Sequence, residues 1–279
     1  MTSPTTWCQA NLAFHDWDRA EATALTHLAP LLRAAEDTQA VAAWFFIRKH
    51  PCWRLRYLPG TAGEDRLEQG LDALIADGHI TGWTEIVYEP EVHAFGGAES
   101  MASGHRFFHR DSRAMLEQLQ GDRARYRREV SLALCSLLLR AAGLDWYEQG
   151  DVWARVAAHR KLQPAADQHD RDRRDRLRTA VHRLISVNAE ELMQAGGPLA
   201  DTADWARAYT GAGHELHYLT QAGKLQRGLR HVLAHHVIFA WNRIGLPYTT
   251  QAALADAAKT VIFGPDPTLD RSADRAHTP

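Results

Sequence analysis

The stretch Ala42-Ala43-Trp44-Phe45-Phe46-Ile47-Arg48 is followed, after His50-Pro51-Cys52-Trp53, by Arg54-Leu55-Arg56-Tyr57-Leu58. The first run is rich in aromatic residues and the second alternates polar with apolar residues, which is typical of neighbouring strands. The connection is short enough for a β-hairpin. Because residues two apart on a strand face the same side, Arg54 and Arg56 should lie together, and Arg48 or Lys49 could join them across the hairpin.

This concentration of positive charge suggests what the sheet face could bind. Like charges on one sheet face repel each other unless an anion lies between them. The hairpin is therefore a candidate anion site. A solvated face, or pairing of the arginines with nearby acids, would explain the same pattern, and the residues alone leave these alternatives open.

Outside the hairpin, the pattern changes from strands to helices along the chain. Strands are predicted at 7–14 and 80–88, with helices at 64–77 and from an N-cap at Asp18. Beyond Phe95-Gly96-Gly97, helices are predicted at 100–109, 125–142, 177–192, 203–209, 225–244 and 251–261. This order predicts an α+β fold, with an N-terminal antiparallel sheet with helices followed by a mostly α-helical second half. We expect one domain at 1–264 and a disordered tail at 265–279, which is polar and contains three prolines.

Composition excludes several classes of function. The 279 residues include 32 Lys and Arg against 34 Asp and Glu, which argues against nucleic acid or an anionic membrane as the main partner. No apolar run approaches the ~20 residues that span a bilayer, and the N-terminus lacks the layout of a signal peptide. The three cysteines are widely spaced, which fits a reducing compartment, so a cytoplasmic location is expected.

Two further segments carry residues that could act on a substrate. Tyr88-Glu89-Pro90-Glu91 is followed by His93 and two glycines, a pattern that a turn explains as well as a catalytic site does. His105 and His109, like His231 and His235, have the i,i+4 spacing of zinc ligands on a helix. They lack a neighbouring Glu and a third ligand, so no metal is predicted. Asp111-Ser112 should cap the following helix.

Taken in order, four motifs resemble the C-terminal domain of lantibiotic dehydratases, which also occurs alone as a thiopeptide-type bacteriocin biosynthesis protein. The resemblance covers about Trp7 to Ile262. The motifs are Trp44-Phe45-Phe46-Ile47-Arg48-Lys49 with Trp53-Arg54-Leu55-Arg56; Tyr88-Glu89-Pro90-Glu91 with Phe95-Gly96-Gly97; Met101, His105, Phe108-His109 and Asp111-Ser112; and Phe239 through Trp241-Asn242-Arg243-Ile244-Gly245.

The resemblance implies an enzyme that matures ribosomally made peptides. In the split form of the family, a partner protein esterifies Ser or Thr of a precursor peptide with glutamate from glutamyl-tRNA. The small protein then eliminates glutamate, which leaves dehydroalanine or dehydrobutyrine. Related members instead perform the [4+2] cycloaddition that builds the pyridine ring of thiopeptides and releases the leader peptide. A third hypothesis is a non-catalytic subunit that binds the precursor peptide within a dehydratase complex.

The same resemblance implies the partners. They are the precursor peptide and a separate glutamylating dehydratase. Direct tRNA binding is not expected, because the long glutamylation domain is absent from the sequence. No membrane partner and no cofactor are expected, and a homodimer is left open.

The family motifs also imply roles for individual residues. The arginine pair of the family matches Arg54 and Arg56, which would bind glutamate and stabilise its negative charge as it leaves, with Arg48 as a third candidate. The essential His of fused dehydratases corresponds to the region of Ile238, Phe239 and Ala240, so His235 or His236, about one turn earlier, would have to replace it. A further family arginine corresponds to Pro90. Both departures strengthen the cycloaddition alternative, although elimination remains the expected reaction, because split dehydratase partners are the commoner context for this stand-alone architecture. The resemblance also implies substrate binding by Glu89, Glu91, His93, His105, Asn242 and Arg243.

Overall fold

Four antiparallel strands in the first third of the chain form one sheet. The computed structural model describes residues 6–63, 65–119, 125–186, 196 and 200–264. The strands are β1 (Cys8–Ala13), β2 (Val41–Lys49), β3 (Cys52–Pro59) and β4 (Gly82–Ile86), in the order β2-β3-β1-β4. The hairpin predicted from the sequence is therefore confirmed as β2-β3, and the α+β fold with its N-terminal sheet is confirmed with it.

The register of the hairpin decides which arginines share a face. Ile47 lies opposite Arg54 and Phe45 opposite Arg56, whereas Arg48 lies opposite Trp53. Because alternate residues face opposite sides, Arg54 and Arg56 lie on one face and Arg48 on the other. The expectation that Arg48 could join the pair is wrong. Lys49, opposite Cys52, does share the face of Arg54 and Arg56.

The opposite face of the sheet is the apolar one and packs against the first helices. Its side chains include Leu12, Trp53 and Leu55, each 1% exposed or less. Residues 20–37 form a continuous helical segment, with α1 (Ala20–Thr23), a π-helical stretch (Ala24–Leu28) and α2 (Ala29–Asp37), and α3 (Asp65–Ala76) packs on α2 and β4. Arg19, not Asp18, is the N-cap residue of α1. Large apolar burial of this kind stabilises the layer by roughly 25 cal/mol per Å² removed from water.

A long helix, α4 (Ala98–Gln118), covers the outer edge of the sheet at β2. His109 Nδ1 lies 3.2 Å from the amide nitrogen of Trp44 and 3.0 Å from its carbonyl oxygen, and the amide of Phe46 donates to Ser112 Oγ at 3.4 Å. Edge strands otherwise present unpaired backbone groups, and these side chains supply partners for them. Asp111 and Ser112 therefore lie inside α4 and are fully buried, so their predicted role as a helix cap is wrong.

The rest of the described chain is helical, as predicted, although several helices are longer than the sequence suggests. The helices are α5 (Arg127–Ala141), α6 (Trp146–His159), α7 (Gln168–Ser186), α8 (Ala203–Gln221), α9 (Leu229–Ile244) and α10 (Tyr248–Phe263), with a 3-10 turn at Ala200–Thr202. Helix α6 was not predicted, although Asp145 and Glu148 form a capping box at its start. The tail predicted at 265–279, and the end of the helix predicted at 177–192, lie outside the described residues. Within the described part of the chain, no helix is long and apolar enough to cross a bilayer.

Candidate active site on the arginine face

Arg56 lies at the centre of the polar face of the sheet and is almost completely buried, with 4% of its surface exposed. Its Nε donates to Gln9 Oε1 at 2.9 Å, and its guanidinium lies 4.5 Å from the centre of the Tyr88 ring. Burial lowers the pKa of this guanidinium, and the neighbouring Arg54 lowers it further. A buried arginine with a second arginine beside it is favourable only where negative charge compensates it.

The hydrogen bonds within the described residues leave part of this charge without an acceptor. Arg54 Nε and Arg56 Nη1 have no partner among those residues, and neither has Glu91 Oε2. Arg56 Nη2 lies 3.8 Å from Glu91 Oε1, so the carboxylate is a loose partner for one arginine. The pairing with local acids that the sequence left open is therefore present only in part. Two buried guanidinium nitrogens therefore lack an acceptor among the described residues, and an anionic ligand that reached them would satisfy them.

A phenol and an imidazole stand beside the arginine pair. Tyr88 follows β4, and its Oη lies 2.9 Å from Nε2 of His105 on α4. Burial, together with the positive charge of Arg56, lowers the pKa of His105 to about 4, so the ring is neutral near pH 7. Burial raises the pKa of Tyr88, which keeps the phenol protonated. The two side chains can therefore hold or pass one proton next to the guanidinium groups.

Apolar rings connect the arginine face to helix α9. Phe45 lies 5.4 Å from the Arg56 guanidinium and packs on Phe108, whose ring in turn stacks on Phe239 with centroids 5.7 Å apart. Phe239 also contacts Phe95 at 4.9 Å. The region where fused dehydratases are expected to carry a histidine is therefore occupied here by aromatic packing.

The two histidines expected to act in its place have other surroundings. His236 is fully buried against Phe95, Phe107 and Phe108, and burial lowers its pKa to about 3. Neither of its ring nitrogens finds a hydrogen-bond partner in the described part of the chain. His235 is half-buried, with Nδ1 2.9 Å from the His231 carbonyl and its ring next to His159. Since His236 is buried and neither ring nitrogen contacts a hydrogen-bond partner among the described residues, we leave it out of the proposed site.

The Asn-Arg pair near the end of α9 makes its hydrogen bonds to α4 and α10, although burial and, among the nearby charges, that of Arg243 lower the pKa of Arg56. Arg243 is completely buried, and its Nε donates to Asp111 Oδ2 at 2.6 Å inside the helical core. Asn242 accepts from Gln251 Nε2 at 3.1 Å. Arg243 is enclosed by the core, and its Nη1 and Nη2 have no hydrogen-bond partner among the described residues. Its expected role in substrate binding stays a prediction. Glu89 and His93 are exposed, and their expected roles stay predictions.

Gln9 and Tyr88 belong to the site although neither was expected to act on substrate. Gln9 bonds both Arg56 and Asn11, the latter at 3.0 Å, and so fixes the guanidinium from the neighbouring strand. Polar residues at alternating positions of an otherwise apolar strand, Gln9 and Asn11, were the signal that could have found this contact. His105 and His109 have different partners, Tyr88 and Glu36, and no group of three potential metal ligands occurs among the described residues.

The chain has the α+β fold: a four-stranded antiparallel sheet with arginines on one face, a helix along the β2 edge of the sheet, and a mostly helical second half. The family model for the lantibiotic biosynthesis dehydratase C-terminal region matches residues 7–262, and the chain belongs to that family. The membership predicted from the four motifs is confirmed.

Solved structures share the fold at low sequence identity. The tRNA-dependent lantibiotic dehydratase MibB from Microbispora sp. 107891 is 18% identical with a TM-score of 0.64; the match covers 99% of this chain and 29% of MibB. TsrL is 17% identical with a TM-score of 0.60, covering 94% of this chain and 99% of TsrL. The pyridine synthase TbtD from thiomuracin biosynthesis is 14% identical with a TM-score of 0.60, covering 92% and 99%. None of the curated proteins matches the chain.

Proposed function

We propose that this protein matures ribosomally made peptides by eliminating glutamate from glutamylated Ser or Thr residues of a precursor peptide. Family membership and the likeness to peptide-modifying enzymes support the general role. The observation that carries the specific reaction is the pair of the half-buried Arg54 and the buried Arg56, whose guanidinium donors are incompletely paired within the described residues.

The reaction requires a proton acceptor and a site for the leaving group. A base removes the α-proton of the esterified residue, the electron pair forms the Cα–Cβ double bond, and the Cβ–O bond breaks. Glutamate then leaves as a carboxylate, and donors directed at this growing charge lower the barrier. Arg54 and Arg56 fill that role in our proposal. Arg48, on the other face of the sheet, does not take part.

Two groups beside the arginines can accept the proton. Glu91 is 3.8 Å from Arg56 and has one carboxylate oxygen without a partner among the described residues. His105 is neutral because burial lowers its pKa, and it can pass the proton through Tyr88. We assign the proton transfer to this group of Glu91, Tyr88 and His105, in place of His235 and His236.

The [4+2] cycloaddition is the second candidate, and one feature of the site favours it. Pro90, and the region of Ile238, Phe239 and Ala240, stand where resemblance to fused dehydratases leads us to expect an arginine and a histidine. Phe239 extends a layer of aromatic rings, with Phe95 and Phe108, toward the arginine face. Phe239 is the partly exposed member of this layer and could offer a surface to a substrate with planar heterocycles, with the protonated Tyr88 as the acid.

The decisive experiment is mass spectrometry of a precursor peptide that carries Glu esters on Ser or Thr, incubated with this protein alone. We expect release of free glutamate and the mass of the dehydrated peptide. Arg54→Ala and Arg56→Lys should each lower the rate by about 10²–10³-fold, as removal of an oxyanion donor does. Arg66→Ala, an exposed arginine on α3, is the matched control and should leave the rate unchanged.

The outcomes separate the three hypotheses. A glutamylated peptide that stays intact, together with ring formation and leader release from a peptide bearing two dehydroalanines, would replace elimination by cycloaddition. If neither peptide changes and Arg54→Ala also disrupts complex formation with the precursor, the chain is a binding subunit. An Arg54→Ala protein that still forms the complex but has lost turnover would refute the binding-subunit hypothesis.

A further inference from the structure

A second charged cleft lies on the opposite side of the hairpin from the arginine pair. It has a volume of about 450 Å³ and is lined by residues from four parts of the chain, among them Trp17, Glu21, Arg48, Trp53, Arg127 and Asn242. Since Arg48 and Trp53 are on the sheet face that does not carry Arg54 and Arg56, the two sites are separated by the sheet. We call this second site the Arg48 cleft.

Two arginines share one carboxylate in the wall of the Arg48 cleft. Arg48 Nη1 pairs with Glu21 Oε2, and Arg127 binds the same carboxylate through both Nη atoms at 3.0 and 2.8 Å. Burial raises the pKa of Glu21, but the hydrogen bonds and charges of the two arginines outweigh it and hold the pKa at about 2. Glu21 is therefore ionised at neutral pH, and the three groups together carry one positive charge.

Arg48 has donors that this arrangement does not use. Its Nε and Nη2 are shielded from solvent and have no hydrogen-bond partner in the described residues. These two nitrogens lie along one edge of the guanidinium, a geometry that matches the two oxygens of a carboxylate. Leaving such groups unpaired costs free energy, which a ligand that supplies an acceptor recovers.

The surroundings hold the Arg48 guanidinium in one place. It stacks on the Trp53 ring with its carbon 4.5 Å from the centroid. Gly245, with φ of 78°, is also close, since an added Cβ there would come within 2.7 Å of Arg48 Nη1. The backbone after α9 can approach this closely only because position 245 has no side chain. Arg48 is therefore positioned by packing as well as by charge.

The charges around the cleft limit what it can accept. Asp18 also lines it and is exposed, and Glu21 is already ionised. A ligand with two negative charges would meet both carboxylates, whereas a single carboxylate can approach the guanidinium edge alone. The volume is sufficient for an amino acid or for the last residue of a peptide, with the half-exposed Trp17 available for apolar contact.

From this geometry we infer that the Arg48 cleft is a binding site for a single α-carboxylate, held side-on by Arg48 between Trp53 and Trp17. The carboxylate belongs to a free amino acid or to the C-terminus of a peptide. This inference is independent of the elimination reaction, because it involves neither Arg54 nor Arg56. It predicts that the protein binds a second ligand group away from the site where the ester is cleaved.

The test is calorimetric titration of the Arg54→Ala protein, in which the arginine face has lost one of its two arginines and should bind a carboxylate more weakly. One probe is free L-glutamine, which has one carboxylate. The other is an acetylated peptide with a free C-terminus, compared with the same peptide amidated. We expect one probe to bind, which identifies the source of the carboxylate, and no binding of the amidated peptide. Adding Arg48→Lys, which keeps the charge beside Glu21 but loses the planar edge, should weaken binding by about tenfold or more.

Three results would overturn the inference: neither probe binds, the amidated peptide binds as well as the free acid, or Arg48→Lys leaves the affinity unchanged. If Arg48→Lys fails to fold, the same titration is followed by the indole N–H resonance of Trp17, assigned with Trp17→Phe. A shift of that resonance with the carboxylate probe supports the site, and no shift refutes it. Elimination activity is measured separately on the wild-type protein, so failure of one proposal does not imply failure of the other.

Discussion

The buried ion pair between Arg243 and Asp111 allows a quantitative test of whether the Asn-Arg pair serves packing or substrate. Both side chains are 0% exposed, and Asp111 also accepts from Trp205 Nε1 at 2.6 Å and from Tyr209 Oη at 3.0 Å. Asp111→Ala would leave a buried guanidinium without its partner and two further donors without an acceptor. Removing one member of a buried pair costs about 3–5 kcal/mol.

We therefore expect Asp111→Ala to lower the free energy of unfolding by about 4 kcal/mol, which corresponds to a fall in Tm of roughly 8–16 °C for a domain near this size. The assay is urea and thermal unfolding followed by circular dichroism. Asp204→Ala is the matched control, because Asp204 pairs with Arg207 on the surface of α8 with 83% of its side chain exposed, and such pairs are worth about 0–1 kcal/mol.

A packing role for the Arg243–Asp111 pair is refuted if Asp111→Ala is no more destabilising than Asp204→Ala. It also fails if the variant keeps its stability and loses only affinity for the precursor peptide, since the pair would then serve the substrate. Asp111→Asn should fall between the wild type and Asp111→Ala, because the amide still accepts from Trp205 and Tyr209 but no longer compensates the charge of Arg243.

Three further changes have defined expectations. Gly211→Ala on α8 should stabilise the protein by about 0.5–1 kcal/mol, because no heavy atom lies within 4 Å of the added Cβ. Gly213→Ala should destabilise it, because the added Cβ would lie 2.6 Å from the Leu138 carbonyl oxygen. Equal effects of the two substitutions in thermal unfolding would contradict this expectation. Asp145→Ala removes the capping box of α6 and should lower the free energy of unfolding, measured in urea, by about 1 kcal/mol. Asp145→Ser should remain close to the wild type. An Asp145→Ala protein as stable as the wild type would be evidence against the cap. Burial lowers the pKa of His105 in the folded protein to about 4, below the unfolded value near 6.5, so the stability that the neutral ring contributes is fully present above pH 6.5 and is lost as the pH falls toward 4, by up to roughly 3 kcal/mol. The unfolding free energies of the wild type and of His105→Gln, measured between pH 7.5 and 4, should therefore converge on acidification. A constant difference between them would refute this expectation.

The sheet could be predicted from the sequence because its signals are local. Aromatic residues and alternation in the hairpin specify strands, and residues 80–88 show the same alternation around β4. The side on which Arg48 lies could not be predicted in the same way. It depends on the register, in which Arg48 faces Trp53, and register is set by the turn and by packing across the whole pair.

The candidate site was predicted in part for a similar reason. Arg54 and Arg56 are two residues apart on one strand, so their proximity follows from strand geometry. The contact between Tyr88 and His105 joins residues on different elements, and no local pattern reports it. Asp111 shows the same limit, because its sequence context is that of a helix cap and only tertiary packing places it in the middle of α4 beside Arg243.

The alternation of arginines along the hairpin has a consequence for how such a chain can change. The β2-β3 hairpin separates two candidate sites (compartments), with Arg48 in the Arg48 cleft on one side and Arg54 and Arg56 on the arginine face on the other. Substitutions alter one compartment at a time, but deletion of a single residue within β3 would turn Arg54 and Arg56 into the apolar layer and Leu55 out of it. Both compartments would be lost in one step. We therefore expect the length of this ribbon to be less tolerant of change than its individual side chains.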